Sequence, residues 1–497
     1  MSAIDRFIDT PLVLSRIGQL PVGFLSFSPR RAAMATDPTS LPSKVEEHFA
    51  VCPQFRILLV GNTGVGKSSL VMSVFNLDIK DIDIQHDRPG EADIKRSYKS
   101  DANPRFILHD SKGFEPGSKD TWDTVEQFIR DRSSTKQPLK ERVHTIWLCI
   151  QTPRTGSRLF EVGDQKLVSL ADELHIPVII VFTKYDLLYN EKSRQRRKDF
   201  PAESADIRRR NAEDEAAADL RKRVHEYADF NFKSVMWVPV STHPKYRNAQ
   251  GDGLQMLREL TSVTRDRLHD IEGDLLVLWA TAQQINAQQK LNDSINVGFS
   301  RYWIHLGAST IFEGQVLWNC ISRIHRDMLA VWNFHDPNQL LSGQRFCTDM
   351  VKLIEPLLTP PEHYANTLSQ TSELVSIAST ITAAFGQVLA GAGIAVFAVR
   401  FLYGKYQRSP LTALCLGAYI VDLTLILHNL FITMLTQEPP RPVSEAFLYD
   451  TFQNYKVSDA SRVHGLVRDI VDQRRTLRPE EKIADLIRNE LKMETIH

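Results

Sequence analysis

The sequence predicts an α/β fold: a doubly wound, mostly parallel sheet, followed by a mainly helical C-terminal domain that carries an apolar helical hairpin. Three observations predict it. Short β-branched runs alternate with helical stretches between Phe55 and about Leu268, the pattern of a parallel sheet covered on both faces. A glycine-rich turn follows the first run and opens a helix. After Asp270 the apolar residues change to helical spacing.

The elements follow in order. Phe55–Val60, Val143–Ile150, Pro177–Phe182 and Val235–Val240 read as buried strands; Arg105–His109 is another, with Asp93–Tyr98 beside it as an edge strand. Leu187–Lys233 is crowded with both charge signs, which favours a solvated helix laced with ion pairs over a nucleic-acid contact. Ile271, Leu275, Leu278, Trp279, Ala282 and Ile285 follow helical spacing. So do Val463, Leu466, Val467, Ile470 and Val471, and a last stripe of Ile483, Leu486, Ile487 and Leu491 opened by Pro479. Trp303, Trp318 and Trp332 suit core anchors. The expected organisation is a disordered leader over 1–53, a nucleotide domain over 54–269 with a charged insertion at 187–233, a helical extension over 270–376, the apolar hairpin over 377–436, and amphipathic helices over 437–497.

Bulk composition narrows the function classes. Sixty basic and sixty acidic residues give zero net charge, which argues against a dedicated nucleic-acid binder. The five cysteines (Cys52, Cys149, Cys320, Cys347, Cys415) form no C-x-x-C pair, which suggests reduced thiols in the cytoplasm. The first 41 residues carry Arg6, Arg16, Arg30 and Arg31, but Asp5 and Asp9 disfavour a transit peptide.

The strongest motif is Gly61-Asn-Thr-Gly-Val-Gly-Lys-Ser68, placed between a strand and a helix. Its glycines let backbone amides turn inward around phosphate, and the following helix adds its own free amides. Asn62, Thr63, Gly64, Val65, Gly66, Lys67, Ser68 and Ser69 are the expected phosphate-side residues. Lys67 brings positive charge to the outer phosphates and is the expected catalytic group; Ser68 offers a hydroxyl to Mg²⁺. Asp110-Ser-Lys-Gly113 ends a strand: Asp110 suits Mg²⁺, and Gly113 lets its amide approach the terminal phosphate. Thr183-Lys-Tyr-Asp186 follows an apolar strand. One carboxylate, Asp186, can accept from both the N1 and the exocyclic amine of guanine, whereas adenine has an acceptor at N1. Lys184 can lay its stem against the base. Ser241-Thr242 follows the last strand, where a loop amide can meet the base carbonyl. The expected cofactors are therefore GTP or GDP and Mg²⁺.

Gly61–Ser68, Asp110–Gly113, Thr183–Asp186 and Ser241–Thr242 resemble, in kind and order, the motifs of the translation-factor-related GTPases. More closely, the chain resembles the Era-like branch and a group of large fungal proteins with a G domain. Thr152–Asp164, Ile324–Asp327 and Val331–Phe334 look similar to that group. The resemblance implies a nucleotide-dependent switch. Two departures qualify it. No threonine lies between Thr63 and Thr121 to serve the first switch, where Ser97 is the nearest substitute. Phe114 stands where Ras-like proteins orient water with glutamine. The expectation is slow hydrolysis, helped by self-association through the G domain; the alternative is a nucleotide-binding scaffold without useful catalysis.

Ile377–Val399 is uncharged over 23 residues, and Leu411–Leu435 is apolar apart from Asp422, His428 and Asn429. The first would be about 35 Å long as a helix, enough for a hydrocarbon core of about 30 Å. An aspartate at mid-span and three basic residues in the connection, Arg400, Lys405 and Arg408, count against spanning. Three arrangements remain open: a buried hairpin, a hairpin dipping into one leaflet, and a double span making 377–435 a membrane contact.

Overall fold

The computed structural model describes residues 43–78, 94–111 except 96, 119–133, 137–154, 157–226, 235–246 except 245, 254–269, 274–300, 315–358, 410–437, 440–472 and 479–494. Six strands form one sheet in the order β2-β3-β1-β4-β5-β6: β1 (Phe55–Val60), β2 (Tyr98–Ser100), β3 (Asn103–Asp110), β4 (Thr145–Gln151), β5 (Val178–Thr183) and β6 (Met236–Pro239). Every pairing is parallel except β2 with β3, so the sheet is mostly parallel as expected. The edge strand lies later than Asp93–Tyr98. Asp101-Ala102 turns the chain so that Ser100 faces Asn103, and Ile94-Lys95 is a turn.

Alternation along the strands divides the sheet's core into two faces. Phe55, Ile57 and Leu59 join the cluster beneath α2 (Lys67–Phe75), while Leu58 and Val60 join the opposite one. That opposite face is covered by α3 (Lys119–Ser133), α4 (Val162–Glu173), α5 (Tyr185–Asp199) and α6 (Ala205–Glu226). The charged insertion is the pair α5 and α6. Its ion pairs join Lys192 to Asp219 at 2.7 Å, Arg196 to Glu203 at 2.6 Å and Arg196 to Glu215.

On the first face, α7 (Gln255–His269) and α8 (Asp274–Ala282) complete the layer. Trp279 of α8 is fully buried, 5.0 Å from Phe55 and 6.0 Å from Trp147 between ring centroids. The stripe that begins the helical half of the sequence thus packs into the sheet's core. Helix α1 (Lys44–Val51), within the segment expected as leader, is capped by Ser43, whose hydroxyl donates to Asp327 at 2.6 Å.

The helical domain is built around α12 (Pro410–Leu435). Around it lie α9 (Ala287–Ser300), α10 (Gln315–Trp332), α11 (Gln344–Ile354), α13 (Glu445–Ser458), α14 (Ala460–Asp472) and α15 (Pro479–Glu494). Of the expected hairpin, 377–399 and its connection lie outside the described residues; among the described residues one helix, α12, is long and apolar enough to cross a membrane. Over its most apolar window 83% of that helix is buried. Asp422 at its centre accepts from Tyr455 Oη at 2.6 Å and from His464 Nε2 at 2.8 Å. A carboxylate that looks costly in isolation is thus satisfied by α13 and α14. Trp332 is a fully buried anchor; Trp303 lies outside the described residues.

The two domains meet through buried amides. Asn103 donates to Ala282 O at 2.7 Å and accepts from Asn333 Nδ2 at 2.9 Å. Gln284 donates its backbone N–H to Val74 O at 2.9 Å and its side chain to Asn333 O at 3.0 Å. The far end of α2 is therefore tied to the first residues of the helical domain.

Two buried imidazoles make acid stability a test of this packing. His144 Nδ1 accepts from the Arg56 N–H, so Nε2 carries the proton and donates to Leu139 O: the ring is neutral. His325 is placed likewise, between Tyr419 Oη and Leu341 O. Burial pushes each imidazole down to about 4, from 6.5. Above pH 6.5 neither state binds the proton; below it the unfolded chain does and the native one does not, until pH 4. The contribution of each ring to stability should fall on acidification from pH 6.5 to 4, by up to about 3 kcal/mol, while Asp164 and Asp293, which burial pushes up to about 6, contribute with the opposite sign over the same range. Urea unfolding midpoints of the parent and of His144→Phe across that range isolate one ring: the stability difference between them should shift against the parent as pH falls from 6.5 to 4.

Candidate nucleotide site

The site lies at the C-terminal ends of β1, β3 and β5 and the loop after β6, where open parallel sheets bind ligands. Gly61 closes β1 with φ +152°, and a Cβ there would stand 2.2 Å from Cys149 O. Only glycine allows β4 to pass that close. Gly64 (φ +77°) and Gly66 (φ +104°) take left-handed backbone, with open space where a side chain would project. Gly66 caps α2, whose first residue is Lys67.

Lys67 is buried, and its Nζ donates to Gly61 O at 2.8 Å and to Asn62 O at 3.2 Å. Asp110 Oδ1 lies 3.7 Å from the same ammonium. The end of β3 is held by Ser111, whose N–H and hydroxyl both reach Leu59 O, at 3.0 and 3.1 Å. Asn62, Thr63 and Ser69 are exposed, Val65 is buried, and Ser68 is half-buried in the first turn of α2. Gly113 and Phe114 lie outside the described residues. Ser97 is exposed just ahead of β2, rather than within a strand.

The loops after β5 and β6 close onto this cradle. Thr183 Oγ1 donates to Val65 O at 2.7 Å, and Lys184 Nζ donates to Gly64 O at 2.6 Å. Lys184 holds φ +54° at the start of α5, turning the chain so that Asp186 lies in the first helical turn. Asp186 is buried, and its Oδ1 accepts from Ser241 Oγ at 2.8 Å. Ser241 Oγ in turn accepts from the His243 N–H at 3.2 Å; Thr242 is half-buried beside it. The structure therefore brings Gly61–Ser69, Asp110, Thr183, Lys184, Asp186 and Ser241–Thr242 to one rim.

Several supports were not visible in sequence. Thr152 donates both its N–H and its hydroxyl to Thr183 O, each at 2.8 Å, and Gln151 Oε1 accepts from Lys184 at 3.3 Å. Their only sequence signal is position, at the end of the strand beside Thr183. Cys149 behind Gly61 is fully enclosed, and burial raises its thiol to about 12, so it stays protonated packing.

Comparison with known proteins places this geometry. Residues 56–184 match the family model described as 50S ribosome-binding GTPase, and residues 340–493 match a domain of unknown function (DUF8505). A protein named GTPase Der, from Deinococcus deserti, is 33% identical over 162 residues, which cover 32% of this chain and 33% of that one. A protein named Probable GTP-binding protein EngB, from Flavobacterium psychrophilum, is 26% identical over 149 residues, covering 29% of this chain and 68% of that one. The chain thus spans about a third of Der and about two thirds of EngB. With the glycine cradle, Lys67 and the Thr183–Asp186 loop on one sheet edge, the chain carries a P-loop GTPase domain related to the bacterial Era-like GTPases Der and EngB.

Proposed function

We propose that the chain binds GTP and GDP, hydrolyses GTP slowly with Mg²⁺, and uses its helical domain to respond to nucleotide state. One observation carries the reading: the base loop and the phosphate loop are bonded to each other, Lys184 to Gly64 and Thr183 to Val65, with Asp186 fixed by Ser241. A ligand held by the carboxylate and a ligand held by the cradle are then the same ligand.

Each residue has a role in that reading. Asp186 accepts from the two donors of guanine. The amides of the loop and of the first turn of α2 face phosphate oxygens. Lys67 exchanges two loop carbonyls for those oxygens, and its buried ammonium is oriented before the ligand arrives. The hard oxygen donors Ser68 and Asp110 suit Mg²⁺. When bound, the ion neutralises charge on the terminal phosphates. The link from Val74 at the end of α2 to Gln284 gives the helical domain a mechanical connection to the cradle.

The finer assignments rest on sequence. Phe114 and the missing switch threonine support slow turnover and assistance from a second G domain. Thr152–Asp164 supports kinship with the large fungal proteins. The burial of α12 and the partners of Asp422 favour a core helix over a membrane span. Turnover of the full chain, measured over a range of protein concentrations, tests the reading. The expected result is a rate below about 10⁻² s⁻¹ when dilute, rising with concentration. A dilute rate of about 1 s⁻¹ or more would contradict it. No hydrolysis in a single turnover with protein in excess would favour the scaffold alternative.

A further inference from the structure

We infer that the tip of the α5–α6 hairpin is a docking surface for an anionic lipid bilayer. Residues 194–210 hold seven basic and three acidic residues, in a chain whose net charge is zero. The interior of the tip consumes part of that set. Arg196 lies between Glu203 and Glu215, and Arg208 donates to Glu203 O at 2.5 Å. Facing solvent are Arg194, Arg197, Lys198 and Arg210, against Asp199 and Asp206. In α5 the three basic positions are spaced i, i+3, i+4, so they share one helix face.

Two bulky apolar side chains stand at the same end. Phe200, in the turn after α5, and Ile207, in the first turn of α6, are each 53% exposed. The guanidinium of Arg196 lies over the Phe200 ring at 4.7 Å and fixes its orientation without covering it. The lower half of the hairpin is anchored: Leu188, Ala216 and Leu220 are in the sheet's core, and Tyr246 donates to Glu213 at 2.8 Å. Neither Phe200 nor Ile207 belongs to a hydrophobic core cluster among the described residues.

A basic rim around an aromatic and a β-branched side chain fits an acidic headgroup layer, where the cations meet phosphate and carboxylate while the apolar pair enters the acyl boundary. Nucleic acid would use the same charges but has no continuous apolar layer in which Phe200 and Ile207 could be buried together. The geometry also gives the surface a route to the nucleotide. Helix α5 begins at the base loop and runs about 21 Å to the tip, on 1.5 Å of rise per residue.

The test is flotation of the full chain with vesicles of phosphatidylcholine alone or with 30 mol% phosphatidylserine added. The expected result is at least about 10-fold tighter binding to the anionic vesicles, weakening as salt is raised. Arg197→Glu with Lys198→Glu should remove that preference. Phe200→Ser with Ile207→Ser should weaken anionic binding at least about 10-fold and leave guanine-nucleotide affinity unchanged, which shows that the fold is intact. Equal binding to the two vesicle types, or unaltered binding by either double variant, would overturn the proposal. So would a tip that selects a ribo-oligonucleotide over the anionic vesicles.

Discussion

Replacing Lys67 with alanine should weaken GTP binding by about 100-fold or more, with little loss of folding stability. The ammonium is already out of water, held by Gly61 O and Asn62 O at the mouth of the cradle and facing Asp110. Its desolvation is therefore met on folding, and a triphosphate finds it oriented. Truncating one partner of a buried hydrogen-bonded charge pair costs roughly 2–5 kcal/mol of binding. The protein itself loses less, because Asn62 is exposed and water can replace the ammonium at its carbonyl. Titration with a fluorescent GTP analogue, alongside a thermal melt of the same variant, separates the effects. A Lys67→Ala protein that binds GTP within a few-fold of the parent would place the phosphates elsewhere.

Asp186→Asn should lower GTP affinity by roughly 100-fold and raise affinity for xanthosine triphosphate, the largest change in specificity expected from one atom's exchange. Ser241 determines how that amide sits. Its hydroxyl accepts from the His243 N–H and donates to position 186, so the asparagine carbonyl turns towards Ser241 and its NH₂ towards the base. Guanine then meets a donor with a donor, whereas xanthine has a carbonyl where guanine has the amine. Isothermal titration with both nucleotides measures it. Unchanged preference for GTP would mean that Asp186 does not contact the base.

How much of this was legible beforehand follows from the range of the interactions. The cradle and the base loop are local: residues within eight positions of one another, bounded by apolar strands, declare themselves through glycine spacing and a carboxylate after a strand. The sheet is nearly as plain, because a buried parallel strand is a continuous apolar run. The stripe at 271–285 was legible as a helix, yet periodicity says which residues are buried and not what buries them. Trp279 packs on Phe55 and Trp147, across more than 130 residues of chain. The junction was hidden for the same reason: Asn103, Gln284 and Asn333 are ordinary polar residues until folding brings them together. Asp422 shows the limit most clearly. Within its own segment it is a charge in an apolar helix, and only Tyr455 and His464 turn it into a satisfied core group.

One pocket should read phosphate and purine together. Competition tests it most directly: the full chain, filled with a fluorescent GDP analogue in Mg²⁺, is challenged with unlabelled GTP or ATP. GTP should release the analogue at a concentration at least about 100-fold below that needed with ATP. Release by both at the same concentration would contradict it.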